Sequence, residues 1–224
     1  AIKLASSNNP LILLDDTATK ANFDASRQQY YALQAQADRL QAELSKSDSI
    51  TFSPGLLNAS DDPLAVENMS IQQQLFLTRR LALQGELAIL AAAERGVSEQ
   101  IRGLEAQARG KKEQLKYVQE QLEGSRELAK EGYLPRNKWF EEERLASELQ
   151  ASSTELQSTV LRAKSNAIEA KQRMAQRQRD FQKEVETQYA DYRRESLNAA
   201  EKLRATKEEY LRSTVRAPVD GFVN

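Results

Sequence analysis

Cysteine and histidine are both missing from the 224 residues. Without thiolates there is no disulfide framework, and without either residue the usual zinc ligands and the commonest general base are gone. Glycine and proline are scarce, at 8 and 5 residues, and aromatics make up only 6%. Neither a loop-rich fold nor a thick aromatic core fits that inventory. No stretch approaches the ~18 apolar residues of a transmembrane helix, and no signal peptide is visible at the N-terminus. Neither sign of charge is in excess: 32 Lys and Arg stand against 33 Asp and Glu, a net charge of -1. A nucleic-acid partner would call for a basic stripe, so none is expected. The run Glu141-Glu142-Glu143 is no metal site, because adjacent residues on a helix point to different faces. No catalytic residue, cofactor or metal follows from the sequence.

What is present is charge, at 29% of residues, with a mean hydropathy of -0.68. That is the profile of long helices and coiled coils with a narrow Leu/Ala seam. Leu11-Ile12-Leu13-Leu14 reads as a short strand ended by Asp15-Asp16, with Asp16 or Thr17 as N-cap of a first helix over about 18–46. Phe23, Tyr30, Leu33, Ala37, Leu40 and Leu44 share one face of it. Pro54-Gly55 and Asn58 to Pro63 are turn signatures. From 64 to 131 no proline interrupts a helical pattern. Leu83, Leu87, Leu90, Val97, Ile101, Leu104, Ala108, Leu115, Val118 and Leu122 follow a three/four register, with Glu94 and Lys111 as polar intruders. Such a helix is roughly 100 Å long at 1.5 Å per residue, and without a wide apolar face it needs a partner.

The partner follows after Gly132-Tyr133-Leu134-Pro135, where Gly132 suits a left-handed C-cap and Pro135 stops continuation. A helix over 136–213 has Leu145, Leu149, Leu156, Ala163 and Ala170 on its first seam. The register then shifts toward Val160, Ala167, Met174 and Phe181. A loop this short makes the two helices antiparallel neighbours. The first helix is expected beside the base of the other two. Trp139 and Phe140 either pack against Tyr133 or face another protein.

The last residues, Thr214 to Asn224, read as strand, turn, strand. Arg216-Ala217-Pro218-Val219-Asp220-Gly221 after a long helix resembles the second lipoyl half-motif of the HlyD family of membrane fusion proteins, the periplasmic adaptors of bacterial export. Pro10 to Asp15 resembles the end of the first half, with Asn8 where the family has Gly. Ile50 to Leu57, the Asp62-Pro63 break and Glu131 to Asn137 resemble the type I secretion branch, which serves proteases and lipases. The resemblance implies a mainly α fold: a long antiparallel coiled-coil hairpin of three helices, flanked by strands of a partial lipoyl-like β-sandwich. The expected domains are 1–16 and 214–224 for the half-motifs and 17–213 for the hairpin, with its tip at 132–135.

The resemblance further implies a non-enzymatic adaptor. It would sit in the periplasm, anchored in the inner membrane through a segment outside this chain. Its partners would be an inner-membrane ABC transporter, a TolC-like outer-membrane channel and further copies of itself, six in a ring. Gly132, Tyr133, Leu134, Pro135, Arg136 and Asn137 are the expected channel-docking residues. Efflux adaptors carry an Arg, Leu and Ser/Thr docking set. Aligned on Leu128, this chain has Gly124 and Pro135 at the other two places. The alternatives are a drug-efflux adaptor and a structural coiled coil unrelated to export. A lipoyl or biotinyl carrier is disfavoured, because helix fills the place of its modified lysine.

Overall fold

The computed structural model describes residues 3–5, 10–216 and 221–223. In chain order these form β1 (Lys3–Ala5), β2 (Pro10–Leu13), α1 (Thr17–Leu44), α2 (Pro54–Leu57), α3 (Pro63–Lys130), α4 (Arg136–Arg212), β3 (Thr214–Arg216) and β4 (Gly221–Val223). They divide into two compact units: Ala1–Ala82 with Arg179–Asn224, and Leu83–Gln178.

In the first unit the two chain ends meet. β2 pairs antiparallel with β3, Leu13 opposite Thr214 and Pro10 opposite Arg216, and β1 pairs with β4, Ala5 opposite Gly221. The expected lipoyl-like sandwich is not there among the described residues. The two ladders share no strand, and each strand is only three or four residues long. A sandwich needs stacked sheets that bury inner faces against each other, and isolated two-stranded pairs supply no such face. Of the second half-motif, Arg216 ends β3 and Gly221 begins β4, while Ala217, Pro218, Val219 and Asp220 lie outside the described residues, as does Asn8.

The helices number four among the described residues, not three, because Pro54-Gly55 opens a short helix instead of a turn. Pro54 sits at its first position, where no backbone N–H is needed. Gly55 is required by close packing: a Cβ there would lie 2.3 Å from the Tyr30 hydroxyl. At the start of α1 the N-cap residue is Asp16, as expected, but its side chain makes no capping bond and the carboxylate that caps comes from Asp15. Its carboxylate accepts from Thr17 N (3.1 Å) and Thr17 Oγ1 (2.7 Å), and these bonds hold its pKa below the ordinary value.

α1 packs beside the first part of α3 and the last part of α4. Tyr31, Ala35, Leu56 and Ala65 form one core cluster, and Ala42, Ile50 and Phe76 a second, with Phe52 against both. A polar ladder ties the three helices together. Ser196 Oγ donates to Gln34 Oε1 (2.5 Å), Gln34 Nε2 to Asp38 Oδ1 (2.8 Å), and the Ser53 amide to Asp38 Oδ2 (2.7 Å). Arg39 Nε donates to Gln72 (2.8 Å), and Glu43 lies between the guanidinium groups of Arg39 and Arg79. Phe23 stacks on Tyr210 at 5.6 Å. All six residues of the expected face of α1 are buried or half-buried, but the covered surface is wider than that face. Gln34, Asp38 and Arg39 are buried along with Ala35, Ala37 and Leu40, because α1 has neighbours on more than one side.

The second unit is a two-helix hairpin. From Leu83 to Ala129, residues at alternating spacings of four and three are buried or half-buried, including all ten apolar positions named from the sequence. On α4 the matching series runs Trp139, Glu142, Ala146, Leu149, Ser153, Leu156, Val160, Ala163, Ala167, Ala170, Met174 and Arg177. This corrects the expected register shift: Leu156 and Val160 belong to one continuous heptad seam, as its two alternating positions. Leu145 is off the seam and 44% exposed, and Ala146, 7% exposed, takes its place. The polar intruder Glu94 accepts from Ser98 and pairs with Lys171 across the seam at 3.6 Å.

Candidate functional site: the hairpin tip

α3 ends in a Schellman motif built on Gly132. That residue has φ +83, a left-handed conformation that costs glycine nothing and other L-residues about 1–2 kcal/mol. The Tyr133 amide donates to Leu128 O (2.9 Å) and the Gly132 amide to Ala129 O (3.4 Å). The Leu134 amide also reaches Leu128 O, at 3.2 Å. Pro135 stands immediately before α4, and Lys138 N closes the first turn onto Pro135 O at 3.0 Å. The turn thus satisfies its backbone locally and leaves its side chains free.

Those side chains are largely in solvent. Tyr133 is 79% exposed; Gly132, Pro135, Arg136 and Asn137 are exposed, and Leu134 is half-buried. In a Schellman motif the residues at the positions of Leu128 and Tyr133 usually share an apolar contact. Here both are open, Leu128 at 48% exposure. Trp139 turns into the seam and Phe140 outward, their ring centroids 4.8 Å apart, and Phe140 is 57% exposed. Tyr133 makes no ring contact with either among the described residues. The sequence reading therefore placed the turn and noted Phe140 and Leu128, but left both out of the docking set, although they complete its apolar surface. Heptad counting finds both: they fall one position off the seam.

Just inside the tip, Gln121 Nε2 donates to Glu142 Oε1 at 3.2 Å across the seam, while Glu142 Oε2 and Trp139 Nε1 are covered without a hydrogen-bond partner. Among the described residues no cluster of acidic side chains could hold a metal ion, and no helix is long and apolar enough to cross a membrane.

Residues 19–209 match the family model described as AprE, long alpha-helical hairpin. The chain belongs to the AprE hairpin family. Among relatives of this family, the alkaline protease secretion protein AprE of Pseudomonas aeruginosa is 32% identical over 214 residues, 96% of this chain and 50% of that protein. The proteases secretion protein PrtE of Dickeya chrysanthemi is 29% identical, covering 95% and 48%. The chain thus spans about half the length of the curated relatives it matches. Its fold is similar to the soluble domain of LipC, a membrane fusion protein of a type I secretion system, with a TM-score of 0.89 and 32% identity over 99% of this chain and 84% of that one. The periplasmic adaptor EmrA, at 15% identity and a TM-score of 0.58, shares the fold.

Proposed function

We propose that this chain is the hairpin segment of the periplasmic adaptor of a type I secretion system, linking an inner-membrane ABC transporter to a TolC-like outer-membrane channel for export of a protein. The observation that carries this reading is the match of the AprE hairpin family to nearly the whole chain, supported by the likeness to LipC. The role is one of assembly and spacing, not of catalysis. In the working complex several copies, six by the family resemblance, stand side by side.

In this reading the tip is the channel-docking surface. Gly132 and Pro135 fix the turn, Tyr133 and Leu134 supply apolar contact, and Arg136 and Asn137 hydrogen-bond the channel. The exposure of Leu128, Tyr133 and Phe140 supports it, since apolar groups left in water by a finished cap are available to a partner.

A tip series in the full-length protein tests the proposal. Leu134→Asp and Arg136→Glu are expected to abolish secretion and cross-linking to the channel, with helicity, abundance and transporter binding unchanged. Secretion that survives both changes would mean that the tip is only a turn.

A further inference from the structure

The seam of the unit Leu83–Gln178 changes character along its length. The cross-seam contacts Gln121–Glu142 and Glu94–Lys171 set which residues stand level. By that register the layers toward the turn are Leu115 with Leu149, Val118 with Ala146, Leu122 with Glu142, and Ser125 with Trp139. Leu115 and Ala146 are both 7% exposed. Beyond them, toward the turn, no residue from 116 to 145 is buried. The apolar contact that holds two amphipathic helices together thins out there.

Seam charges are also answered differently at the two levels. Below Leu115 each acidic group at or beside the seam has a cation: Glu86 pairs with Arg177, Glu94 with Lys171, and Glu105 with Lys164 at 2.7 Å. Lys111, opposite Ser153, carries its ammonium on a stem long enough to reach water. Glu142 has a shorter arm and makes no ion pair among the described residues. Its Oε1 accepts from Gln121, while its Oε2 is covered with no donor beside it. One layer nearer the turn, Trp139 Nε1 is covered with no acceptor. Among the described residues of this unit, no other covered side-chain polar atom is without a partner. Both therefore stand in the last two layers. On the facing stretch of α3, Gly124-Ser125 puts two weak helix formers in a row, and no packing calls for the glycine, since a Cβ there would meet nothing within 4 Å.

Covering a carboxylate oxygen without a donor costs more than covering a neutral polar group, and the cost is recovered when the segment opens to water. Only half-buried Val118, Leu122 and Trp139 set apolar contact against it. Lengthening the loop from the turn to the whole segment adds little closure entropy. We infer that residues 119–145 open and close as a unit of their own while the seam from Leu83 to Leu115 stays shut, and that Glu142 sets the balance. The hairpin thus ends in a segment that yields. On the adaptor reading proposed above, this places compliance at the end that meets the channel; the opening itself does not depend on that reading.

Hydrogen exchange on the full-length protein, read by mass spectrometry over 119–145 and over 95–111, tests the inference. Amides of 119–145 are expected to exchange about a hundredfold faster than those of 95–111. Fraying beside any turn also lowers protection, so Glu142→Leu, which sets an apolar side chain opposite Leu122, is the deciding variant. It should slow exchange in 119–145 about tenfold and leave 95–111 unchanged. Glu142→Gln keeps the side chain's shape without its charge and should slow exchange there about threefold. Equal protection of the two stretches, no change in either variant, or a change spread evenly over both stretches would each overturn the inference. Secretion and channel contact are read by the tip series alone, so failure of the opening and failure of the adaptor role stay separate.

Discussion

At the scale of single residues, the chain shows where a side chain's absence matters more than its presence. Gly55 lies against Tyr30 so closely that any Cβ would overlap the phenol oxygen, at 2.3 Å. Gly55→Ala is therefore expected to lower the thermal midpoint, with a cost on the order of 1–3 kcal/mol for forced overpacking. Adding Tyr30→Phe removes the clashing oxygen and should recover part of the loss. If the double variant is no more stable than Gly55→Ala alone, the contact is not the cause. Gly132 is needed for a different reason, its positive φ, while nothing touches its Cβ position.

At the scale of elements, the hairpin seam is narrow, and much of it is alanine or polar. Leu115 is 7% exposed and one of few large side chains buried there, whereas Lys112 is on the solvent side. Leu115→Ala should cost about 2–4 kcal/mol through lost burial and a residual cavity. Lys112→Ala should shift stability by less than about 0.5 kcal/mol. Chemical denaturation of the two variants checks both, and equal midpoints would place the seam elsewhere. α1 follows another logic. Its buried Gln34, Asp38 and Arg39 are satisfied by Ser196, the Ser53 amide and Gln72, so its packing is specified by hydrogen-bond partners as well as by apolar fit.

At the scale of the whole molecule, the first unit carries its own response to alkaline pH. It contains Tyr30 and Tyr31, whose phenol pKa values are raised, first by burial and then by the carboxylates of Asp38 and Asp62 respectively. A raised native value means that the unfolded chain deprotonates first. The contribution is therefore intact below about pH 10 and is lost as pH climbs through the raised native values. Hydrogen exchange at rising alkaline pH is expected to show the first unit loosening in that window. The variant Tyr30→Phe with Tyr31→Phe should flatten the response. An unchanged alkaline profile in the double variant would remove these two phenols as its cause.

The sequence by itself determined what is local. The seven-residue recurrence from Leu83 to Leu122 implied a long helix with a partner, Gly132 and Pro135 marked where it turns, and the missing cysteine and histidine removed thiol chemistry and the usual zinc ligands. These are readable because helix periodicity, a left-handed cap and a proline act within a few residues of chain. Tertiary structure alone decided the rest. The α4 seam looked like two registers because its alanines and serines, such as Ala146 and Ser153, carry no sign of which side is covered until α3 is in place. Nothing in the sequence marks Gln34, Asp38 and Arg39 as buried, since their partners come from elements as much as 162 residues away. The strand ends suggested a sandwich. Their motif residues specify pairing between β2 and β3, but a second layer depends on apolar surface brought from elsewhere, and no such layer stands against the ladders among the described residues. Local rules fix where a helix starts, turns and stops, whereas burial is a property of what comes to lie beside it.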